Sequence, residues 1–151
     1  MIMKTVELKI PSEIGYEKLA MRVAGELAEQ MGFSKDRIDD LRTAVAEACI
    51  NAIEHGNQLD KTTRVFILMT IHEDRLAINV ADEGRGGPPP KDIIQPDMEA
   101  QIEGLMTPGG MGLFVIRALV DEAEFVKPNL GNGNEFQMVV HLQPKEKEKE
   151  S

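Results

Sequence analysis

Apolar and polar residues alternate through "TVELKIP" (5–11), the two-residue period of a strand, and the run ends at a proline. The period then lengthens. Leu19, Val23, Leu27 and Met31 recur at helical spacing, which predicts a helix capped by Ser12 and running to about Met31. "GFSKD" interrupts it, and Ser34 is placed to cap a second helix reaching about His55, where Gly56–Asn57 stops it. Leu41, Val45, Ala48 and Ala52 form that helix's packing stripe, and Glu47 and Asn51 lie together beside it, one turn apart. "TRVFILMTI" (63–71) and "RLAINVAD" (75–82), joined by "HED", predict a hairpin.

From Glu83 to about residue 109 the chain turns rich in glycine and proline, with room for a short helix near Asp97–Leu105. A stretch this long without periodicity inside a compact domain predicts a functional loop. A helix from about Met111 to Val120 follows, then strands "EAEFVKP" (122–128) and "EFQMVVHL" (135–142) around the turn "NLGNGN". The order β-α-α-β-β-loop-α-β-β departs from regular βα alternation. It predicts an α+β two-layer sandwich, with helices on one face of a mixed, mainly antiparallel sheet. One domain over residues 1–143 is expected, followed by a charged, disordered tail at 144–151.

Composition narrows the partners. The 151 residues carry a net charge of −9, against the basic footprint that nucleic acids or anionic membranes require. Aromatics at 4% leave few stacking platforms for single strands. A nucleotide remains compatible, since backbone amides and Mg²⁺ can hold its phosphates. The single Cys49 excludes an intrachain disulfide and suits a reducing compartment. Without a signal pattern or a membrane-length apolar run, the expectation is a cytoplasmic protein.

Three stretches carry candidate chemistry. In "VADEGRGG" (80–87), Asp82 ends a strand and Gly84 and Gly86 follow, so one carboxylate can face a pocket beside closely approaching backbone. Such a carboxylate accepts a hydrogen bond from an exocyclic amine, and adenine carries one. Taken alone, the pattern also suits an ordinary turn. In "TPGGMGLFVIRALVDE" (107–122), glycines 109, 110 and 112 lead into a helix terminus that can hold phosphates or act as a hinge. Leu113, Ile116 and Val120 are its packing positions. "EACINAIEHGN" (47–57) reads in isolation as a solvated helix flank. With a nucleotide present, Asn51 becomes a Mg²⁺ ligand and Glu47 a general base, while Ala44, Ala48 and Ala52 leave room for the nucleotide.

That order of stretches resembles the GHKL ATPase superfamily, with its N, G1 and G2 boxes in "EACINAIEHGN", "DEGRGG" and "GGMGLFVI". Within it, residues 6–142 are similar to the small anti-sigma-factor serine kinases of bacterial partner-switching systems. The resemblance implies a Bergerat fold with Glu47 as general base, Asn51 on Mg²⁺ and Asp82 on adenine. Gly84 and Gly86 would shape the adenine pocket, and Gly110, Met111 and Gly112 the phosphate side, with residues 87–109 as the ATP lid. It further implies an anti-anti-sigma (STAS-type) protein as phosphoacceptor, a sigma factor as binding partner and a homodimer. Two departures stand out. Asn134 occupies a position near the adenine where relatives commonly carry threonine, and "PPP" at 88–90 stiffens the lid.

Other readings share parts of this pattern. "HEDR" (72–75) echoes a histidine kinase phosphoacceptor box, but it falls in a predicted hairpin, so His72 is read as a turn residue. His55 is read as a helix-end residue and His141 as lying on the last strand, with no metal-ligand spacing among them. Cys49 is read as packing. A nucleotide-dependent binding module that transfers no phosphate is the rival of a different class, and intact Glu47 and Asn51 favour catalysis over it. Arg22 and nearby charges on the first helix are candidate partner contacts or ordinary surface.

Overall fold

The computed structural model describes residues 3–88 and 110–143. The expected short helix at 97–105, the lid beyond residue 88 and the tail at 144–151 lie outside the described residues. Strand β1 (Lys4–Pro11) precedes helices α1 (Glu17–Met31) and α2 (Lys35–Asn51), and a π-helical turn (Ala52–Gly56) extends α2. Strands β2 (Arg64–Ile71) and β3 (Arg75–Ala81), helix α3 (Gly110–Leu119) and strands β4 (Glu122–Val126) and β5 (Glu135–His141) complete the chain. The sheet runs β1-β2-β3-β5-β4 and all four strand pairs are antiparallel. This is the α+β two-layer arrangement expected, and its sheet is entirely antiparallel among the described residues.

Strand alternation sorts the sheet residues by face. Leu8, Ile67 and Val80 sit side by side in register on the helix-facing side, as do Val6, Met69, Ile78 and Met138. Together with Leu41, Val45, Ile53 and Ile116 they form an aliphatic core between sheet and helices. The opposite face carries Phe66, Leu68, Asn79, Gln137 and Glu135.

Helix α1 departs from expectation at both its start and its stripe. Ser12 does not cap it: a turn containing Gly15 (φ 116°) intervenes, and the helix begins at Glu17, whose Oε1 accepts from Gly15 N at 2.6 Å. Ser12 is instead buried, with Oγ 2.9 Å from both Asn57 Nδ2 and Thr63 Oγ1. The fully buried line of α1 is Ala20, Ala24, Gly25 and Ala28; of the larger side chains, Val23, Leu27 and Met31 pack partly buried against the core, while Leu19 is 47% exposed. The two helices approach so closely that only small residues fit between them: a Cβ on Gly25 would overlap the Arg42 guanidinium of α2. Ala44, Ala48 and Ala52 are likewise buried in the core, so their small size serves helix packing and not nucleotide clearance.

The helix ends follow local chemistry. Gly32 adopts φ 98°, and the bonds Gly32 N–Glu29 O and Phe33 N–Ala28 O close α1 as a Schellman motif. Ser34 Oγ caps α2 by accepting from Arg37 N at 3.3 Å. Helix α3 buries Leu113 and Ile116 and packs chiefly on α2, which brings its first turn against the end of the α2 polar flank. Among the described residues, no helix is long and apolar enough to cross a membrane.

Candidate functional site

The α2 flank and the start of α3 meet at one point. A Cβ built on Gly112 would lie 2.6 Å from Glu47 Oε2, 3.0 Å from Asn51 Nδ2 and 3.3 Å from Asn51 Oδ1. The missing side chain at residue 112 leaves room for a carboxylate and a carboxamide to sit directly against the N-terminal turn of α3. Asn51 Nδ2 is buried and has no hydrogen-bond partner among the described residues. An unpaired buried amide costs free energy, which a polar ligand at this point would recover. Gly110 opens α3, and the side chain of Met111 lies outside the described residues.

A second cluster gathers around Asp82, which follows β3 directly and is buried. Its Oδ1 accepts from Gly84 N at 2.7 Å and from Asn134 N at 3.0 Å. No hydrogen bond to Oδ2 occurs among the described residues; this oxygen faces Gly56, where an added Cβ would overlap it. Burial raises the Asp82 carboxyl above the usual carboxylate range, against the lowering effect of the bonds from Asn134 and Gly84. One carboxylate oxygen is thus held by backbone donors, the other packs against Gly56 and accepts no hydrogen bond from the backbone, and the Asn134 side chain lies beside the carboxyl.

Glycines make this crowding possible. Gly84 takes φ 77° and sits 3.2 Å, measured from its would-be Cβ, from Gly133 Cα. A Cβ on Gly133 would overlap Gly84 N and two oxygens of Asp82, and one on Gly86 would overlap the His55 carbonyl. Gly86 N also donates to Gly56 O at 2.8 Å. The loop after β3 is therefore sewn to the π-helical turn that ends α2.

Asn134 lies directly beside Asp82. Its backbone pairs both ways with Asp82, while its Nδ2 donates to Gly87 O at 2.8 Å. The carboxamide pins the first residue of the expected lid.

Residues that the sequence pattern did not single out complete the cluster. Gly56 and Asn57 read as a helix stop, yet they contact Asp82 and the backbone after it. Gly133 read as turn punctuation. Glu135, 3% exposed, accepts from Asn129 N, Leu130 N and Asn79 Nδ2 and holds the 129–134 turn in shape. The signal for Glu135 was a carboxylate placed inside an otherwise apolar strand.

The remaining candidates take structural places. Cys49 is fully buried and its thiol is pushed up to about 12, by desolvation first and the nearby Glu17 second. His72 lies in the β2–β3 turn, His55 is exposed in the π-helical turn, and His141 pairs with Glu122 on the sheet edge. Arg22 is exposed on α1. Among the described residues no group of three or more His, Cys, Asp or Glu side chains could hold a metal ion by itself. A cation here would have to bring most of its oxygen ligands with it, as Mg²⁺ does on a nucleotide.

Known proteins share this arrangement. Residues 10–140 match the family described as histidine kinase-like ATPase domain. The serine-protein kinase RsbW of Bacillus subtilis is 36% identical over 126 residues, covering 78% of this chain and 74% of that protein. The chain belongs to the histidine kinase-like ATPase family, in its RsbW-type serine-protein kinase group. RsbW of Bacillus velezensis is 34% identical, covering 83% and 79% of the two chains. The RsbU and RsbW domains of a Mycobacterium tuberculosis protein share the fold at TM-score 0.63 and 17% identity, over 93% of this chain and 33% of that longer one. Family membership makes the protein an ATP-using protein kinase, and the geometry can be assigned roles on that basis.

Proposed function

We propose that the protein transfers the γ-phosphoryl group of Mg-ATP to a serine on a STAS-type anti-anti-sigma protein, and that it also binds a sigma factor. The observation that carries this reading is the convergence of Glu47 and Asn51 on Gly112 at the start of α3. Asn51 fits a Mg²⁺ ligand through its carboxamide oxygen Oδ1, beside the Glu47 carboxylate at the start of α3, while its unpartnered buried Nδ2 is a donor suited to a phosphate oxygen. When bound, Mg²⁺ would neutralise phosphate charge and orient the transferring group.

Asp82 selects the base: its free Oδ2 accepts from the exocyclic amine of adenine, while Gly84 N and Asn134 N hold the other oxygen. Gly84, Gly86 and Gly133 let backbone approach the ring closely. The amides at the start of α3, from Gly110 through Met111 to Gly112, face the phosphates in this reading. Glu47 accepts the proton of the serine hydroxyl as its oxygen bonds to the γ-phosphorus and ADP leaves. Asn134 anchors the lid at Gly87 and so acts on the nucleotide through the loop. A cytoplasmic homodimer completes the reading, as the resemblance to the family implies.

The test is transfer of label from Mg-[γ-³²P]ATP to the serine of candidate antagonist domains, with Glu47→Ala beside the wild type. Transfer by the wild type alone, with ATP still bound by Glu47→Ala, supports the assignment. ATP binding and partner capture without transfer would replace it with a nucleotide-gated binding module.

A further inference from the structure

Asn57 is fully buried, and all three hydrogen bonds of its carboxamide are made to different segments. Nδ2 donates to Ser12 Oγ at 2.9 Å and to Arg64 O at 2.9 Å; Oδ1 accepts from Glu83 N at 2.7 Å. The residue therefore ties together the end of β1, the start of β2 and the loop leaving β3. Its own backbone N closes the π-helical turn by donating to Ala52 O at 2.8 Å. Ala52 directly follows Asn51, and Glu83 directly follows Asp82. One side chain thus spans the joint between the helix that carries Glu47 and Asn51 and the loop that carries Asp82.

The chain around this joint is held in a conformation it would not adopt unaided. Gln58 and Leu59 both have positive φ, 52° and 58°, which is unfavourable for side-chain-bearing residues. Asp60 N donates to Asn57 O at 3.0 Å and Leu59 N to Ile53 O at 2.8 Å, closing the reversal behind Asn57. Gly56, just before it, lies against Asp82 Oδ2 and accepts from Gly86 N.

We infer that Asn57 is a positioning residue for base selection: its bond to Glu83 N fixes the direction of the free Asp82 oxygen relative to the α2 helix. Asn57 touches no reacting atom. It acts because the Asp82 carboxylate is bracketed on one side by Gly84 N and Asn134 N and on the other by the Gly56–Asn57 segment. Releasing Glu83 N lets the peptide after Asp82 rotate, and Oδ2 loses its register with the amine of adenine. Guanine carries a carbonyl at the same ring position, so a wandering carboxylate discriminates less between the two bases. This inference rests on the assignment of Asp82 to adenine.

The experiment measures Kd for Mg-ATP and Mg-GTP by calorimetry, below the melting temperature of every variant, for wild type, Asn57→Ala, Ser12→Ala and Asp82→Ala. The expected result for Asn57→Ala is Mg-ATP affinity weakened about tenfold, near the worth of one buried hydrogen bond, with a smaller preference for ATP over GTP. Ser12→Ala removes a partner on the structural side of the carboxamide only; its melting temperature falls while both Kd values stay at wild type. Wild-type Kd values and base preference in Asn57→Ala, beside loss of both in Asp82→Ala, overturn the role of Asn57 and leave the adenine assignment standing. Retention of the ATP preference by Asp82→Ala overturns the adenine assignment itself. If Asn57→Ala does not fold, an ester linkage in place of the Asp82–Glu83 peptide removes the same bond from its donor side. It leaves the contacts of Asn57 to Ser12 and Arg64 in place, and the same two Kd values decide the matter.

Discussion

Replacing Gly112 with alanine adds a single methyl group where α3 meets the two polar side chains of α2. The new Cβ would lie 2.6 Å from Glu47 Oε2 and 3.0 Å from Asn51 Nδ2. The carboxylate must retreat by about 0.8 Å to reach ordinary contact, and both atoms belong to the ends of rotatable side chains. The backbone therefore has no reason to yield. Alanine is also favoured over glycine inside a helix by roughly 1 kcal/mol, so the variant should melt no lower than the wild type. A catalytic group displaced by close to an ångström loses on the order of 100-fold in rate, about 2.7 kcal/mol of barrier. Single-turnover transfer of labelled phosphate to the antagonist serine, with excess enzyme and saturating Mg-ATP, reads that loss directly. Calorimetry on the same sample should still detect ATP binding, weakened because Asn51 and the α3 amides beside residue 112 are disturbed while the cluster around Asp82 is untouched. Wild-type transfer would refute the claim that Glu47 works from the position beside Gly112. Loss of folding would refute the claim that the side-chain ends give way before the backbone.

Asp82→Asn keeps an oxygen for Gly84 N and Asn134 N but puts a donor where the free acceptor stood. ATP affinity should fall by roughly 10- to 150-fold, the loss of a charged hydrogen bond worth about 1.5–3 kcal/mol. Stability should move the other way. The raised Asp82 carboxyl keeps its proton in the folded state to a higher pH than in the unfolded one. Wild type therefore loses stability as pH rises from the ordinary carboxylate value through the raised one, and the asparagine variant, followed by urea titration across that window, should lack this loss. Gly133→Ala drives a methyl group into Gly84 N and Asp82, mostly backbone atoms that cannot swing aside. It should cost roughly 1–3 kcal/mol in denaturant titration and abolish detectable ATP binding, and an unchanged midpoint would count against the packing described. Cys49 should resist iodoacetamide at pH 8 in the native protein and react fully in guanidinium, since its thiol is buried and pushed up to about 12. Rapid native labelling would show that the space between α1 and α2 opens readily.

Strands, helices and their order were legible because each writes a period into its own sequence. Leu41, Val45 and Ala48 mark the α2 core stripe, and the β-branched and aliphatic runs of β2 and β3, joined by a short turn, marked them as a hairpin. The flank formed by Glu47 and Asn51 was visible for the same reason: four residues make one helical turn. The Asp82–Gly84–Gly86 run and the glycines at the start of α3 each also suited a turn or a hinge, and only their order with the α2 flank pointed to one site.

What the chain does across its folded layers was not legible from any local window. Ser12 looked like a helix cap because its pattern says so within four residues, yet its partners, Asn57 and Thr63, are 45 and 51 residues away. Within the α1 stripe, Val23, Leu27 and Met31 do pack against the core, but Leu19 is exposed, because the close approach of α2 buries the small residues Ala20, Ala24 and Ala28 deepest. Gly56, Asn57, Gly133 and Glu135 gained their places around Asp82 only when the π-helical turn, the β3 exit and the β4–β5 turn were brought together. By itself, the sequence determined the kinds of elements, their order and the residue types able to do phosphoryl chemistry. Tertiary structure alone decided which oxygen of Asp82 is free, which glycine admits Glu47 to the α3 terminus and which side chain joins the two halves, because those depend on distances between segments remote in the chain.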